Sequence, residues 1–152
     1  MKLRLCLVGA CKSGKSHFIG KLKDYIHHNY HSTIGVDFCT YKTKHHRVHI
    51  WDTSGSDSFK SITHNFVQNV NILLAVYKDK ESFDWLKNYF KNEQIDHIKQ
   101  IIFIYSGKKE KIKLDVEHYF IPCTYTKESV ENCIDFVIKI NQKTTKPCCY
   151  WF

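Results

Sequence analysis

Arginine is nearly absent from this chain. Of 23 basic residues only Arg4 and Arg47 are arginines, so there is no arginine cluster of the kind that closes as a lid over transferred phosphates. Seven cysteines occur without any C-x-x-C spacing, and no apolar stretch approaches the roughly 18 residues of a membrane span. The N-terminal apolar run is too short for a signal peptide, which leads to the expectation of a cytoplasmic protein. Repeats and low-complexity blocks are missing as well. What remains is 152 residues with 43% hydrophobic content, enough for one domain with a real core. A formal net charge of +8 favours polyanions, either nucleic acid or an anionic membrane leaflet. Lys108, Lys109, Lys111 and Lys113 come nearest to a basic cluster, but they lack interleaved aromatics, and nucleic acid is not an expected partner. The ten histidines include the pairs His27-His28 and His45-His46. Neither pair has a spaced cysteine or carboxylate partner, so both read as solvated surface.

One motif dominates. Gly9-Ala10-Cys11-Lys12-Ser13-Gly14-Lys15-Ser16 meets the spacing G-x-x-x-x-G-K-[ST], between an apolar run over residues 3–8 and a helix-compatible segment over residues 17–25. Strand, glycine turn and helix in that order form a phosphate-binding loop. The glycines let backbone N–H groups turn inward on a polyphosphate, and the helix N-terminus adds its positive end. Lys15 would reach the terminal phosphates, and the Ser16 hydroxyl would ligate a magnesium ion bridging them.

The rest of the chain alternates strands and helices. Residues 36–43 and 46–51 read as a hairpin, residues 72–77 and 100–105 as buried strands, and residues 119–122 as a short one. Phe83, Leu86 and Phe90 share one face of a helix. Val130, Cys133, Ile134, Val137 and Ile138 form the apolar stripe of a closing helix. This predicts an α/β fold with a mostly parallel six-stranded sheet, helices on both faces, and a ligand at the carboxyl ends of the strands. Cys6, Cys11, Cys39, Cys123 and Cys133 are read as free thiols, three of them in the core.

With the phosphate loop placed, two further stretches carry a resemblance. Ser32-Thr33-Ile34-Gly35-Val36-Asp37-Phe38 is similar to switch I of the Rab branch of the Ras superfamily of small GTPases. Trp51-Asp52-Thr53-Ser54-Gly55 is similar to the motif that opens switch II. The likeness runs over residues 1–141 as one GTPase domain, leaving 142–152 as a tail. It implies binding of GTP, GDP and Mg2+. Gly9, Cys11, Lys12, Ser13, Gly14, Lys15, Ser16 and His17 would hold the phosphates, with Tyr25, Tyr30 and Thr33 closing over the nucleotide. Tyr25, or Ile26 in its place, would stack on the base. Lys108, Glu110, Thr124 and Tyr125 would line the base side. Ser16, Thr33 and Asp52 would form the metal shell, and the Gly55 amide would sense the terminal phosphate. The implied catalytic group is Lys15, Thr33, Gly55 and Ser56. Phe38, Trp51 and Phe66 match the family's aromatic triad for effectors; the alternative is that they are ordinary core aromatics.

Departures from the family pattern are specific. Ser56 stands where the family has its water-orienting glutamine, which implies slow hydrolysis. Lys12 stands where glycine is common. Gly107-Lys108-Lys109-Glu110 replaces Asn-Lys-x-Asp, and Gly107 cannot supply the asparagine's loop-bracing bonds. The interval from Glu110 to Ile121 is too short for the usual fourth helix. At the end, Cys148 and Cys149 resemble a Rab double-cysteine signal for geranylgeranyl groups, with an unmodified apolar tail as the alternative. Together these imply a monomeric Rab-like switch with Rab-type regulators and effectors, at the cytosolic face of a membrane if prenylated. The alternatives are a pseudo-GTPase scaffold, or a P-loop ATPase or nucleotide kinase.

Overall fold

The computed structural model describes residues 2–22 and 36–145. Tyr25, Ile26, His27, His28, Tyr30, Thr33, Cys148 and Cys149 lie outside the described residues. Six strands form one sheet: β1 (Lys2–Val8), β2 (Val36–Lys42), β3 (Arg47–Thr53), β4 (Ile72–Tyr77), β5 (Gln100–Tyr105) and β6 (Glu117–Pro122). Their order is β2-β3-β1-β4-β5-β6. Every pairing is parallel except the β2–β3 hairpin. Four α-helices accompany them among the described residues: α1 (Lys15–Leu22), α2 (Lys60–Val67), α3 (Lys80–Asn92) and α4 (Lys127–Thr145). A single 3-10 turn, Asp57–Phe59, leads into α2.

The two-residue period of a strand divides the apolar side chains between two cores. On β4, Ile72, Leu74 and Val76 face α1 and α4, where they join Phe18, Val130 and Ile134. Leu73, Ala75 and Tyr77 face the other way and join Phe83, Leu86 and Phe90 of α3. Sheet strands buried on both faces read as continuous apolar runs, which is why residues 72–77 and 100–105 stand out so clearly. At the N-terminus of α3 a capping box fixes the start: Asp79 accepts from the Ser82 amide at 2.8 Å, and Ser82 Oγ accepts from the Asp79 amide at 3.1 Å.

Four of the five described cysteines are buried, one more than expected; Cys123, just past β6, is shielded beneath the loop that follows, and only Cys11 is exposed. His45 is exposed and His46 has an exposed hydrogen-bond partner, in keeping with the surface reading. His46 itself is half-buried and pairs with Gln142 through Nε2 at 2.7 Å. No helix lies between β5 and β6. Instead residues 110–117 alternate between half-buried and exposed, and Ile112, Leu114 and Val116 pack on the α3-side core. An extended strap takes the place of a helix.

Candidate functional site

The loop after β1 is built around its own backbone. Its main chain is left-handed at Lys12 (φ 60°) and Gly14 (φ 108°), a conformation that disfavours Lys12 and explains the glycine preference there. The turn aims two of its carbonyls inward. Lys15 Nζ donates to the carbonyls of Gly9 and Ala10, each at 2.7 Å. The side chain is only 5% exposed. Burial lowers its pKa to about 8, opposed by the negative potential of Asp52 and, in smaller part, Cys11. A lysine held this way is a poised cation needing an anionic partner. Beside it, Ser13 Oγ is buried without a hydrogen-bond partner among the described residues, the kind of orphan that a ligand oxyanion satisfies. A cavity of about 420 Å³ opens over Lys12, Ser13, Gly14, Lys15, Ser16 and His17.

The second half of the site arrives from β3. The register Leu7↔Asp52 brings the end of β3 beside the end of β1, and Thr53 Oγ1 locks it there by donating to the Leu7 carbonyl at 2.6 Å. Ser16 Oγ then donates to Asp52 Oδ2 at 2.7 Å. A hydroxyl and a carboxylate at this separation are hard oxygen donors suited to Mg2+. Gly55 follows, pressed on the loop: a Cβ there would collide with the Cys11 amide nitrogen and the Ala10 and Gly9 carbonyls. Only glycine lets the 55 backbone share the phosphate cradle. The donor set and the cradle therefore fit a metal-bridged polyphosphate, with Lys15, Ser16 and Asp52 as the holding residues.

Ser56 sits just beyond. Its hydroxyl accepts from the Ser58 amide at 3.4 Å and caps the 3-10 turn, while its own amide is held by Ser54 Oγ at 3.1 Å. Phe38, Trp51 and Phe66 come together across the hairpin and α2, with ring centroids 5.4 Å apart for the first pair and 6.2 Å for the second. Phe38 is 46% exposed, whereas Trp51 and Phe66 are half-buried and pack against the α3-side core, so the group runs from the core to the surface.

On the base side the structure brings together what spacing alone does not reveal. A Cβ on Gly107 would collide with the Lys78 carbonyl, so the loop after β5 passes too close for an asparagine. The bracing comes from Tyr77 instead. Its buried hydroxyl donates to the Lys108 carbonyl at 3.3 Å and accepts from the Glu110 amide at 3.1 Å. Its ring is fixed against Phe83 and Tyr105. Tyr77 ends a strand that reads as pure core, and the only signal for its second role is the phenol on the last residue of that run. Glu110 has Lys80 Nζ at 3.9 Å. Thr124 and Tyr125 approach from the loop after β6. Tyr125 is left-handed (φ 57°), its ring stacks on His17 at 5.1 Å, and its hydroxyl fills the space beside Gly14. The base-side and phosphate-side loops thus meet through an aromatic pair.

Comparison with known proteins agrees with this geometry. The family model for Roc, the Ras of Complex domain of DAPkinase, matches residues 4–110. Human Ras-related protein Rab-22A is 27% identical over 150 residues, covering 88% of this chain and 77% of the relative. Rat Ras-related protein Rab-31 is 28% identical over 150 residues, covering 93% and 75%. Among solved structures, the Arl6 BBS3 small GTPase from Trypanosoma brucei, with bound nucleotide analogue GppNp, superposes with a TM-score of 0.72 over 94% of this chain and 99% of its own, at 13% identity. With the phosphate loop, the β3-end carboxylate and the sheet order all in register, the chain belongs to the Ras superfamily of small GTPases, in the Roc and Rab-related range of that family.

Proposed function

We propose that this protein is a guanine-nucleotide switch that turns GTP over slowly. The observation that carries the reading is the convergence of three elements on one cradle: Lys15 over the loop carbonyls, Ser16 at 2.7 Å from Asp52, and Gly55 against the Cys11 amide. Lys15 would exchange its carbonyl partners for phosphate oxygens. Ser16 and Asp52, with Thr33, would hold Mg2+, which when bound neutralises charge on the phosphates. The Gly55 amide, on the backbone that meets the loop, would report the terminal phosphate. Lys108 and Glu110, braced by Tyr77, would take the base.

Slow turnover follows from Ser56. Its side chain is short and already caps the turn at Ser58, so no group at that position orients an attacking water. Phe38, Trp51 and Phe66 would then serve as an effector surface, and Cys148 and Cys149 as geranylgeranyl sites holding the protein on a membrane in vesicle traffic. The Rab-22A and Rab-31 resemblance supports that assignment. The capping role of Ser56 equally favours a second reading, a pseudo-GTPase that holds nucleotide or Rab regulators without turnover.

Single-turnover hydrolysis of GTP with and without Ser56→Gln separates the two. The switch reading expects a slow but measurable rate that rises at least tenfold in the variant. A rate at background in both proteins, with nucleotide still bound, assigns the scaffold role. Nucleotide-free protein that cannot be loaded with GDP refutes both.

A further inference from the structure

A wide groove among the described residues lies away from the proposed nucleotide site. It runs along β6 with a volume of about 1080 Å³, with Lys109, Lys111, Lys113, His118, Phe120 and Phe136 among its walls. β6 is the last strand of the sheet. It pairs with β5 through six consecutive residues without a bulge, so its opposite edge presents a regular row of backbone donors and acceptors. Edge strands are normally blunted by charge, bulges or cover. This one begins with an exposed Glu117, whose carboxylate is taken up by Gln100 and Tyr119, and ends with Pro122; between them His118, Tyr119, Phe120 and Ile121 are all half-buried. The connection before it is the strap, which packs on the α3-side face of the sheet. Among the described residues, no backbone hydrogen bond outside helices and strands involves residues 111–115.

We propose that this edge receives an extended, acidic segment of a partner protein by strand addition. Alternation along an added strand sends successive side chains to opposite faces. One face continues Phe120 and lies under the strap, whose outward lysines Lys109, Lys111 and Lys113 are all exposed; Lys109 Nζ already stands 5.3 Å over the Phe120 ring. Carboxylates belong there. The other face continues Tyr119, which meets Phe136 of α4 edge-on at 5.5 Å, and takes apolar side chains. The expected recognition pattern is therefore acidic residues alternating with β-branched or aromatic ones. A second copy of this chain is disfavoured as occupant, because edge-to-edge pairing would bring the same lysines together in a molecule of net charge +8. Nucleic acid would use the lysines but not the main-chain edge.

A random dodecapeptide library selected against the full chain tests this. Sequences with acidic residues at alternate positions should be enriched. The best of them, made synthetically, should slow amide hydrogen exchange within residues 118–121. It should also bind at least tenfold more weakly to the Lys111→Glu/Lys113→Glu double variant, which should keep the far-UV spectrum and GDP loading of the parent. Failure to enrich any peptide, enrichment without acidic residues, protection confined elsewhere, or affinity unchanged by charge reversal would each overturn the proposal. So would tighter binding of a thymidine oligonucleotide to the same lysines, or self-association in low salt. The outcome is independent of whether the nucleotide site functions.

Discussion

Lys15 gives the site a built-in pH dependence. In the unfolded chain this amine titrates near 10.5, and in the folded protein burial brings it to about 8. Phosphate needs the charged form, so above pH 8 binding must first restore a proton to the free protein. Nucleotide affinity is expected to be about tenfold weaker at pH 9 than at pH 7, with proton uptake visible as a buffer-dependent heat by calorimetry. The same group acts on stability with the opposite sign. Between pH 8 and 10.5 the folded state binds fewer protons than the unfolded state, so this lysine's contribution to stability rises with pH while affinity falls. A flat affinity profile would show that Lys15 is not the phosphate contact. Tyr77 is the other residue whose role can be read out directly. Tyr77→Phe keeps the ring against Phe83 and Tyr105 but removes both bonds to the base loop, a loss of about 1 kcal/mol. GDP release should quicken about fivefold with the far-UV spectrum unchanged; an unchanged release rate would assign the bracing elsewhere.

At the scale of elements, legibility tracked periodicity. The strands at 72–77 and 100–105 were readable to the residue because burial on both faces leaves no polar interruption, and the α3 and α4 stripes were readable for the matching reason at helical spacing. β6 begins at Glu117, two residues ahead of the expected start, because its first two side chains, Glu117 and His118, are polar and carry no apolar signal. The phosphate loop, Ser16 with Asp52, and the contacts of Trp51 with Phe38 and Phe66 were all legible as motifs. Tyr77 was not, since a hydroxyl at the end of an apolar run has no periodic signature and its partners lie 31 and 33 positions away. The strap is the clearest case. The sequence excluded a helix between Glu110 and Ile121 by length, but only the structure reveals an extended segment placing Ile112, Leu114 and Val116 on the core. If those three substitute for the helix energetically, Leu114→Ala should cost about 1–2 kcal/mol in urea unfolding, and Lys113→Ala almost nothing. Equal, negligible effects would mean that the strap merely rides on the surface.

For the whole molecule, the two cores are unequal in cover. One is closed by α1 and α4; the other relies on α2, α3 and a strap one residue thick, with an open edge beside it. Fewer packed layers bury less apolar area per residue and leave less margin over chain entropy. The proposed nucleotide site sits at the junction of β1, β3 and the loops after β5 and β6, so a ligand there would tie together elements from both cores. A ligand that binds only the folded state stabilises it by mass action, about 2.7 kcal/mol at a hundredfold excess over Kd. For a chain of 152 residues that corresponds to a rise in Tm of roughly 5–10 °C. GDP with Mg2+ should produce this shift in the parent protein and not in Lys15→Ala, and adenine nucleotide at the same concentration should produce a smaller one if Lys108 and Glu110 select guanine. An equal shift with both bases would remove base selectivity while leaving phosphate binding intact. No shift with either, in protein whose cavity over Lys12–His17 was first emptied of nucleotide by chelation and exchange, would remove the switch itself.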